Sequence, residues 1–456
     1  MKNLGWNFEG YAAHYKKTLQ IALPICLSHL GHVMVGVADS MMVGNYGGEG
    51  SSMGKLFLAA SSLANSLYMV IMVFGIGVTF SITSMVAAAN GENNDEKLTK
   101  LLKHSLVLCI SFGLFLTIIF SGASGILKLF GQPDEVVAYA IPYFNIMIFS
   151  LFPLMIFLAT KQFTEGLEHT KQAMYITIAA NGLNVFLNYL LIYGKFGFPE
   201  LGLNGAGYAT LISRVIMMIM MVVYVYKNKR YFKYRAGFIL KNIDFTLIKK
   251  MIKLGVPMGF QFTFEMGAFA FAAIMIGWIN ASSLAAHQIA MNLASVTYMI
   301  ASGIASAATV RVGRQWGKRD IPEMIKAANS SWHITIAFML LMAVVFLVLN
   351  QFLPTLYNKD PIVLELASSL LIIAAFFQLS DGVQAVGLGI FRGLSDVKLP
   401  TLITFSSYWL IGLPIGYILA FPLDMGVHGV WYGLLTGLSA ASVLFMLRFY
   451  SQTFKA

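Results

Sequence analysis

The chain alternates between long apolar runs and short polar breaks that carry most of its charged residues. Each run holds about 20 residues or more, the length at which an α-helix crosses the hydrocarbon core of a membrane. The pattern therefore predicts twelve membrane-spanning helices. Their expected limits are residues 18–44, 54–88, 99–121, 136–160, 172–193, 205–226, 249–279, 283–310, 325–350, 362–391, 399–420 and 428–449.

The composition narrows the class of protein further. Hydrophobic residues make up 58% of the 456 residues and charged residues only 11%, whereas a soluble domain is about 25% charged. Such a chain cannot cover itself with a polar surface, which excludes a soluble enzyme, a disordered chain and a nucleic-acid-binding domain. The runs are also longer than the strands of a membrane barrel, which need about ten alternating residues. The expected fold class is all-α integral membrane protein.

The net charge of +11 follows from an uneven distribution of Lys and Arg among the loops. Twenty-six of the 31 basic residues fall on the side of the N-terminus, four fall on the opposite side, and Arg214 lies inside a span. Cytoplasmic loops carry such an excess of Lys and Arg. The count predicts that both termini are cytoplasmic, and because topology accounts for the basic excess we expect no nucleic-acid partner.

The two halves of the chain resemble each other. Residues 23–44 (LPICLSHLGHVMVGVADSMMVG) align without gaps on residues 256–277 (VPMGFQFTFEMGAFAFAAIMIG), so that Pro24 meets Pro257. Further short matches follow in the same order. Six spans per half place both halves in the membrane in the same direction, related by a pseudo-twofold axis along the membrane normal. We expect two six-helix bundles, residues 1–240 and 241–456, in an arrangement typical of alternating-access transporters, the alternative being a duplicated scaffold without transport.

Three acidic residues lie well inside predicted spans: Asp39, Glu265 and Asp381. Inserting a charged side chain at mid-membrane costs at least about 2.5–3.5 kcal/mol. Glu265 is about 18 Å of helix rise from Lys253, and Asp381 is about 16 Å from Arg392, so both are expected near mid-depth. A buried carboxylate binds a proton, a metal ion or an organic cation, and these ligands compete. The alternative is a structural acid satisfied by hydroxyl and amide groups.

Two further polar features fall inside the spans. Asn181, Asn184 and Asn188 recur at helical spacing in the fifth span, where they form one polar stripe. Such a stripe either joins helices or lines a wet cavity. Arg214 lies near the middle of the sixth span. We hypothesise that it pairs with Asp39, the mid-span acid of the same half.

Several motifs resemble the multidrug and toxic compound extrusion (MATE) family, in its NorM-type branch. They are VADSMMVG in the first span, LNVFLNYLLIYGKFGFPELGLNGAG in spans five to six, FTFEMGAFA in span seven, AAHQIAMN in span eight and SDGVQAVGLGIFRG in span ten. The resemblance extends over nearly the whole chain. It implies a monomeric transporter of the bacterial inner membrane, and not an enzyme, that exports cationic amphipathic compounds against Na⁺ or H⁺, with no cofactor besides the coupling ion.

The resemblance also implies roles for individual residues. The acids that match Glu265 and Asp381 form a cation site in the C-terminal half, which holds Na⁺ if the transporter is sodium-coupled. Asp39 contributes to cation coupling and, with Asn184 and Asn188, lines a cargo cavity in the N-terminal half. Two further residues match cargo contacts, namely Gln288 and, near the outer mouth, Asp360.

Three other functions compete with this interpretation. A lipid-linked oligosaccharide flippase of the same superfamily needs a basic cavity for pyrophosphate, whereas the mid-span charges here are three acids and one arginine. A membrane-embedded transferase needs a catalytic His/Asp or metal constellation, and no such spacing occurs in the sequence. A passive channel needs a repeated pore motif, which a twofold repeat with unequal acids does not supply.

Overall fold

The computed structural model describes residues 10–48 and 51–453, which are helical or irregular and contain no strand. Within these residues, twelve helices are long and apolar enough to cross a membrane, which confirms the predicted fold class. Lys2 and Lys455, which enter the charge count, lie outside the described residues. The helices are α1 Ala12–Gly44, α2 Ser52–Gly91, α3 Asp95–Gly122, α4 Asp134–Gly166, α5 Lys171–Tyr193, α6 Leu203–Lys227, α7 Phe245–Gly277, α8 Ala281–Lys318, α9 Ile321–Val348, α10 Pro361–Gly393, α11 Lys398–Ala420 and α12 Gly426–Thr453.

Most helices extend past the predicted spans by up to about two turns at their polar ends. The Asn94 side chain accepts a hydrogen bond from the Lys97 amide at 2.8 Å and caps α3. Asp320 caps α9 in the same way, accepting from the Glu323 amide at 3.2 Å. Apolar length marks only the part of a helix that is compatible with lipid, whereas a capped helix starts in the polar residues before it.

Two of the spanning helices are irregular. The backbone of α4 departs from regular α-helical geometry at Ser150 (φ −71°, ψ −13°), between Asp134–Phe149 and Leu151–Gly166. In α11 a π-helical segment, Ser406–Gly412, separates Lys398–Phe405 from Leu413–Ala420. Hydropathy does not reveal either irregularity. Both carry residues of the sites described below, and π-helical turns occur frequently at functional positions.

The described chain divides into two compact units. The N unit is Leu27–Gly259, and the C unit is Met1–Cys26 together with Phe260–Ala456. The boundaries fall inside α1 and α7, each two residues after the helix-interior prolines Pro24 and Pro257. Each unit therefore contains one part of α1 and one part of α7. The division into consecutive halves at residue 240 stays a prediction.

Close helix contacts in the C unit depend on small residues. On α11, Gly412 and Gly416 are four residues apart, and on α12 Gly429, Gly433 and Gly437 repeat the same spacing. A Cβ added at Gly433 would lie 2.3 Å from the Gly416 Cα. The backbones of α11 and α12 therefore touch, as in small-residue motifs of membrane helices. This contact positions the π-helical segment of α11.

Candidate cation and cargo sites

The C unit buries the two predicted acids Glu265 and Asp381. Glu265 on α7 is 6% exposed and Asp381 on α10 is 5% exposed, and the charge of Glu265 acts on Asp381. Asp381 Oδ1 is buried and has no hydrogen-bond partner among the described residues. A buried carboxylate oxygen without a donor is costly. The arrangement therefore suits a cation that binds there.

Two tyrosines lie beside the acid pair. The hydroxyls of Tyr298 on α8 and Tyr408 on α11 are within electrostatic range of both Glu265 and Asp381. The Tyr408 hydroxyl donates to Gln384 Oε1 at 2.8 Å. Tyr408 belongs to the π-helical segment of α11. Together these groups offer carboxylate, hydroxyl and amide oxygens.

One face of α10 carries several polar atoms that have no partner in the described residues. Gln378, Asp381 and Gln384 are spaced by three residues and therefore share this face. Both amide atoms of Gln378, Asp381 Oδ1 and Gln384 Nε2 are buried and unpaired. Buried polar atoms in native structures nearly always have a protein or water partner. This face of α10 therefore offers polar atoms to which water and ions beside the acid pair can bind.

Arg392, one of the 26 basic residues on the side of the N-terminus, lies in the last turn of α10 and not in a loop. It is only 5% exposed. Its guanidinium carbon lies 4.5 Å from the centre of the Phe262 ring, and its charge acts on Glu265. The aromatic face and the acid together compensate the buried cation. The acid pair is therefore asymmetric, with a positive charge on the Glu265 side.

In the N unit the predicted residues Asp39, Asn184 and Asn188 meet. The Asn188 side-chain nitrogen donates to Asp39 Oδ1. Asn184 lies 3.0 Å from the same oxygen in the amide orientation that satisfies both its donor and its acceptor, and it also contacts Thr210. Asn181, the third residue of the stripe, does not take part in these contacts, and its Nδ2 atom is buried without a partner. One acid and two amides therefore form a polar centre between α1 and α5.

The predicted Arg214–Asp39 ion pair is not formed. Arg214 Nη1 donates to the Tyr68 hydroxyl and, over 2.7 Å, to Ser150 Oγ. Its Nη2 atom lies 3.8 Å from Met72 Sδ. The guanidinium points toward α2 and toward Ser150 of α4, whereas Asp39 lies near the C-terminal end of α1. The arginine charge still acts on Asp39 over a longer distance.

The two remaining predicted residues lie at exposed positions. Asp360 caps α10, where its Oδ1 atom accepts from the Ile362 amide at 2.9 Å. Gln288 on α8 is exposed, whereas its neighbour His287 is buried. The cap gives Asp360 a structural task that a free outer-mouth carboxylate would not have. Cargo contact by either residue stays a prediction.

The donor set restricts the ion. Among residues 10–48 and 51–453, no group of three or more His, Cys, Asp or Glu side chains is placed to hold a metal ion. Around Glu265 and Asp381 the available atoms are oxygens of carboxylates, hydroxyls and amides. Hard cations prefer oxygen ligands, and soft metals prefer thiolate or imidazole. These residues fit Na⁺ or a proton.

Tyr298, Tyr408 and Gln384 are site residues that the sequence patterns above do not predict. Gln384 could have been found, since it lies three residues after Asp381 within the motif SDGVQAVGLGIFRG. The two tyrosines come from other helices, and neither falls in a polar pattern of its own. Their position depends on how α8 and α11 pack within the C unit.

Comparison with known proteins agrees with the repeat and the fold. The MatE family profile matches residues 24–190 and 257–418, two segments that begin at the paired residues Pro24 and Pro257. The chain is similar in fold to a crystal structure of the eukaryotic MATE transporter AtDTX14, with a TM-score of 0.86, 21% identity and coverage of 98% of this chain and 99% of that one. It is likewise similar to a multidrug resistance MATE family transporter of the MOP superfamily in an outward-facing conformation, with a TM-score of 0.87, 20% identity and coverage of 97% and 96%.

Sequence relatives extend over the same length. The chain is 34% identical over 442 residues to the probable multidrug resistance protein NorM of Agrobacterium fabrum, covering 96% of this chain and 94% of the relative. It is 31% identical over 447 residues to the multidrug resistance protein MdtK of Yersinia pseudotuberculosis, covering 96% of each. Both the profile and these relatives lead to the same assignment. The chain belongs to the MatE family, which confirms the resemblance seen in its motifs.

Proposed function

We propose that this protein exports cationic amphipathic small molecules across a membrane in exchange for inflowing Na⁺ or H⁺. The names of its relatives, which are multidrug resistance proteins, support the export of drug-like compounds. The observation that carries the coupling is the buried pair Glu265 and Asp381, with a carboxylate oxygen that lacks a partner among the described residues. A small cation that enters from solution would supply the partner that this oxygen lacks.

Exchange follows from competition for negative charge. Asp381 Oδ1 accepts a proton or coordinates Na⁺, and the Tyr408 hydroxyl, which contacts Gln384 Oε1, lies within electrostatic range of Asp381. Once the cation is bound, the net negative charge of the C unit falls, and an organic cation is held less strongly. In the N unit, Asp39 attracts the positive group of the cargo, while Asn184 and Asn188 orient the carboxylate of Asp39. Gln288 and Asp360 are proposed as peripheral cargo contacts.

The cycle needs the sites to open to each side of the membrane in turn. Pro24 and Pro257 lie inside α1 and α7, where each removes a helical hydrogen bond. Proline positions of this kind are where helices bend. We propose that bending at these two equivalent points belongs to an alternating-access cycle. The protein would work as a monomer in a lipid bilayer, with both termini on the cytoplasmic side.

The test is dye transport in everted membrane vesicles with sodium and proton gradients imposed separately. One of the two gradients should drive uptake of rhodamine 6G, and Glu265→Gln or Asp381→Asn should abolish the gradient-driven part while leaving folded protein. Glu365→Gln is the matched control, since Glu365 is an exposed acid of α10, the helix that carries Asp381. Unchanged transport in both site variants, or transport that requires ATP and neither gradient, would refute the proposal.

A further inference from the structure

Arg214 is a cation inside the N unit without an acidic partner. Its contacts are the hydroxyls of Tyr68 and Ser150 and the sulfur of Met72. Among the residues that the structure describes, no carboxylate lies within ion-pair distance of it. A guanidinium has five N–H donors. Two neutral hydroxyl acceptors and a sulfur leave part of its donor capacity unused, and its charge acts on Asp39 only over a longer distance.

The contacts also fix where the guanidinium points. Tyr68 is 2% exposed and Ser150 is fully buried, so the arginine head lies toward the interior of the N unit. Its central carbon is 5.5 Å from the centre of the Tyr68 ring. The Ser150 hydroxyl donates to the Met147 carbonyl at 2.6 Å and is therefore free to accept from Arg214. The guanidinium is thus oriented by groups that do not neutralise it.

The same interior holds a negative charge at a separate position. Asp39 is bound by Asn188 and not by Arg214, and the Tyr143 hydroxyl lies within electrostatic range of Asp39, Tyr68 and Arg214. Two opposite charges therefore lie in one polar region without neutralising each other directly. A ligand that carries a cationic group and an anionic group at separate ends would complement both. A ligand with a cation alone would use Asp39 and leave Arg214 unpaired.

We propose that Arg214 binds the carboxylate of zwitterionic cargo, and that with Asp39 it makes the N unit selective for compounds bearing both charges. This inference rests on the proposed export function and assigns to it a residue that distinguishes cargo by charge. The planar guanidinium forms paired hydrogen bonds with a carboxylate, which a lysine ammonium cannot reproduce. Arg214 is thus a specificity-determining residue, separate from the acid pair of the C unit.

The test uses two dyes that share one cationic ring system. Rhodamine 19 carries a free carboxylate, and rhodamine 6G is its ethyl ester. Binding is measured by fluorescence anisotropy to the full-length protein in lipid nanodiscs. Arg214→Gln should weaken rhodamine 19 binding by about tenfold or more, the loss expected for a charge-assisted hydrogen bond, and should change rhodamine 6G binding by less than about twofold. Arg214→Lys keeps the charge and should give a smaller, selective loss of rhodamine 19.

The outcomes separate the two proposals. If wild-type vesicles fail to transport rhodamine 6G under either gradient, the export function is wrong. If they transport it, but both arginine variants leave rhodamine 19 binding unchanged or weaken both dyes equally, the carboxylate role is wrong. Should Arg214→Gln not fold, Arg214→Lys alone decides, by selective loss or its absence. Replacing chloride with gluconate tests whether a free anion is the ligand. Chloride-dependent rhodamine 6G binding by the wild type that is lost in Arg214→Gln would also overturn the inference.

Discussion

Lys161 and Glu165 on α4 form a buried ion pair, in contrast to Arg214. Their side chains are 8% and 4% exposed, and Lys161 Nζ lies 3.7 Å from Glu165 Oε1. Removing one partner of a buried pair leaves an uncompensated charge and destabilises a protein by about 3–5 kcal/mol, whereas replacing both is often close to neutral. The pair is therefore a sensitive point of the N unit.

We predict that Glu165→Gln lowers the thermal stability of the purified protein markedly. The double variant Lys161→Met/Glu165→Gln should recover most of the loss, because no charge remains buried. Thermal unfolding followed by tryptophan fluorescence measures both effects. Glu96→Gln is the control, since Glu96 pairs with Lys100 at 2.6 Å on an exposed surface and should produce no measurable change. A double variant as unstable as the single one would contradict this account.

At the scale of elements, the segment Lys229–Phe238 after α6 is a 3₁₀ helix attached to the N unit. Tyr231 and Tyr234 are buried, and the Tyr231 hydroxyl lies 3.0 Å from His169 Nδ1. Lys233 pairs with Asp95 at 2.7 Å. A strongly basic connection of this kind could have been a free loop. The contacts show that its tyrosines anchor it.

This anchor should weaken at acidic pH. Burial, followed by the positive charge of Arg230, holds the pKa of His169 below its ordinary value of 6.5. The folded state thus binds fewer protons than the unfolded state, and stability is lost as the pH falls below 6.5. Hydrogen exchange of residues 229–238, corrected for intrinsic rates, should be faster at pH 5.5 than at pH 7.5. His169→Gln should reduce the difference, and an unchanged difference would exclude His169 as its source.

The glycine contact between α11 and α12 gives a second prediction at this scale. Gly433→Ala would place a methyl group 2.3 Å from the Gly416 Cα, and backbone cannot move aside as a flexible side chain can. Overpacking of this kind costs about 1–3 kcal/mol. We expect a lower unfolding temperature and weakened ion coupling, because the displaced α11 carries Tyr408. Gly182→Ala, within α5 and with open space at its Cβ, is the control that should fold and transport normally.

At the scale of the whole molecule, the charge distribution predicts cytoplasmic termini. Cys26 and Cys109 are buried, so the native protein should react little with a membrane-impermeant maleimide. In intact cells, Lys359→Cys should be labelled and Lys229→Cys should not, although both positions are exposed. Labelling of Lys229→Cys with protection of Lys359→Cys would reverse the topology. Labelling after the membrane is opened checks that both positions are reactive.

The number and approximate limits of the helices could be predicted, and the reason is local. Whether a stretch of about 20 residues can lie in lipid depends on its own composition. The same property hides internal irregularities: Ser150 and the segment Ser406–Gly412 are surrounded by apolar residues, so the runs through them look uninterrupted. Which helix bends or changes its twist depends on the neighbours that satisfy its backbone.

The sequence by itself determined the fold class, the repeat and the three acids in the spans. The length of each apolar run, the gapless alignment of the two halves and a charged residue inside an apolar run are all visible along one chain. Only the tertiary structure decided which charges meet. Arg214 contacts Tyr68 and Ser150 and not Asp39, and Arg392 is buried beside Phe262. These contacts join residues far apart in the chain. They depend on the rotation of each helix about its axis, which helices apolar on nearly every side do not encode.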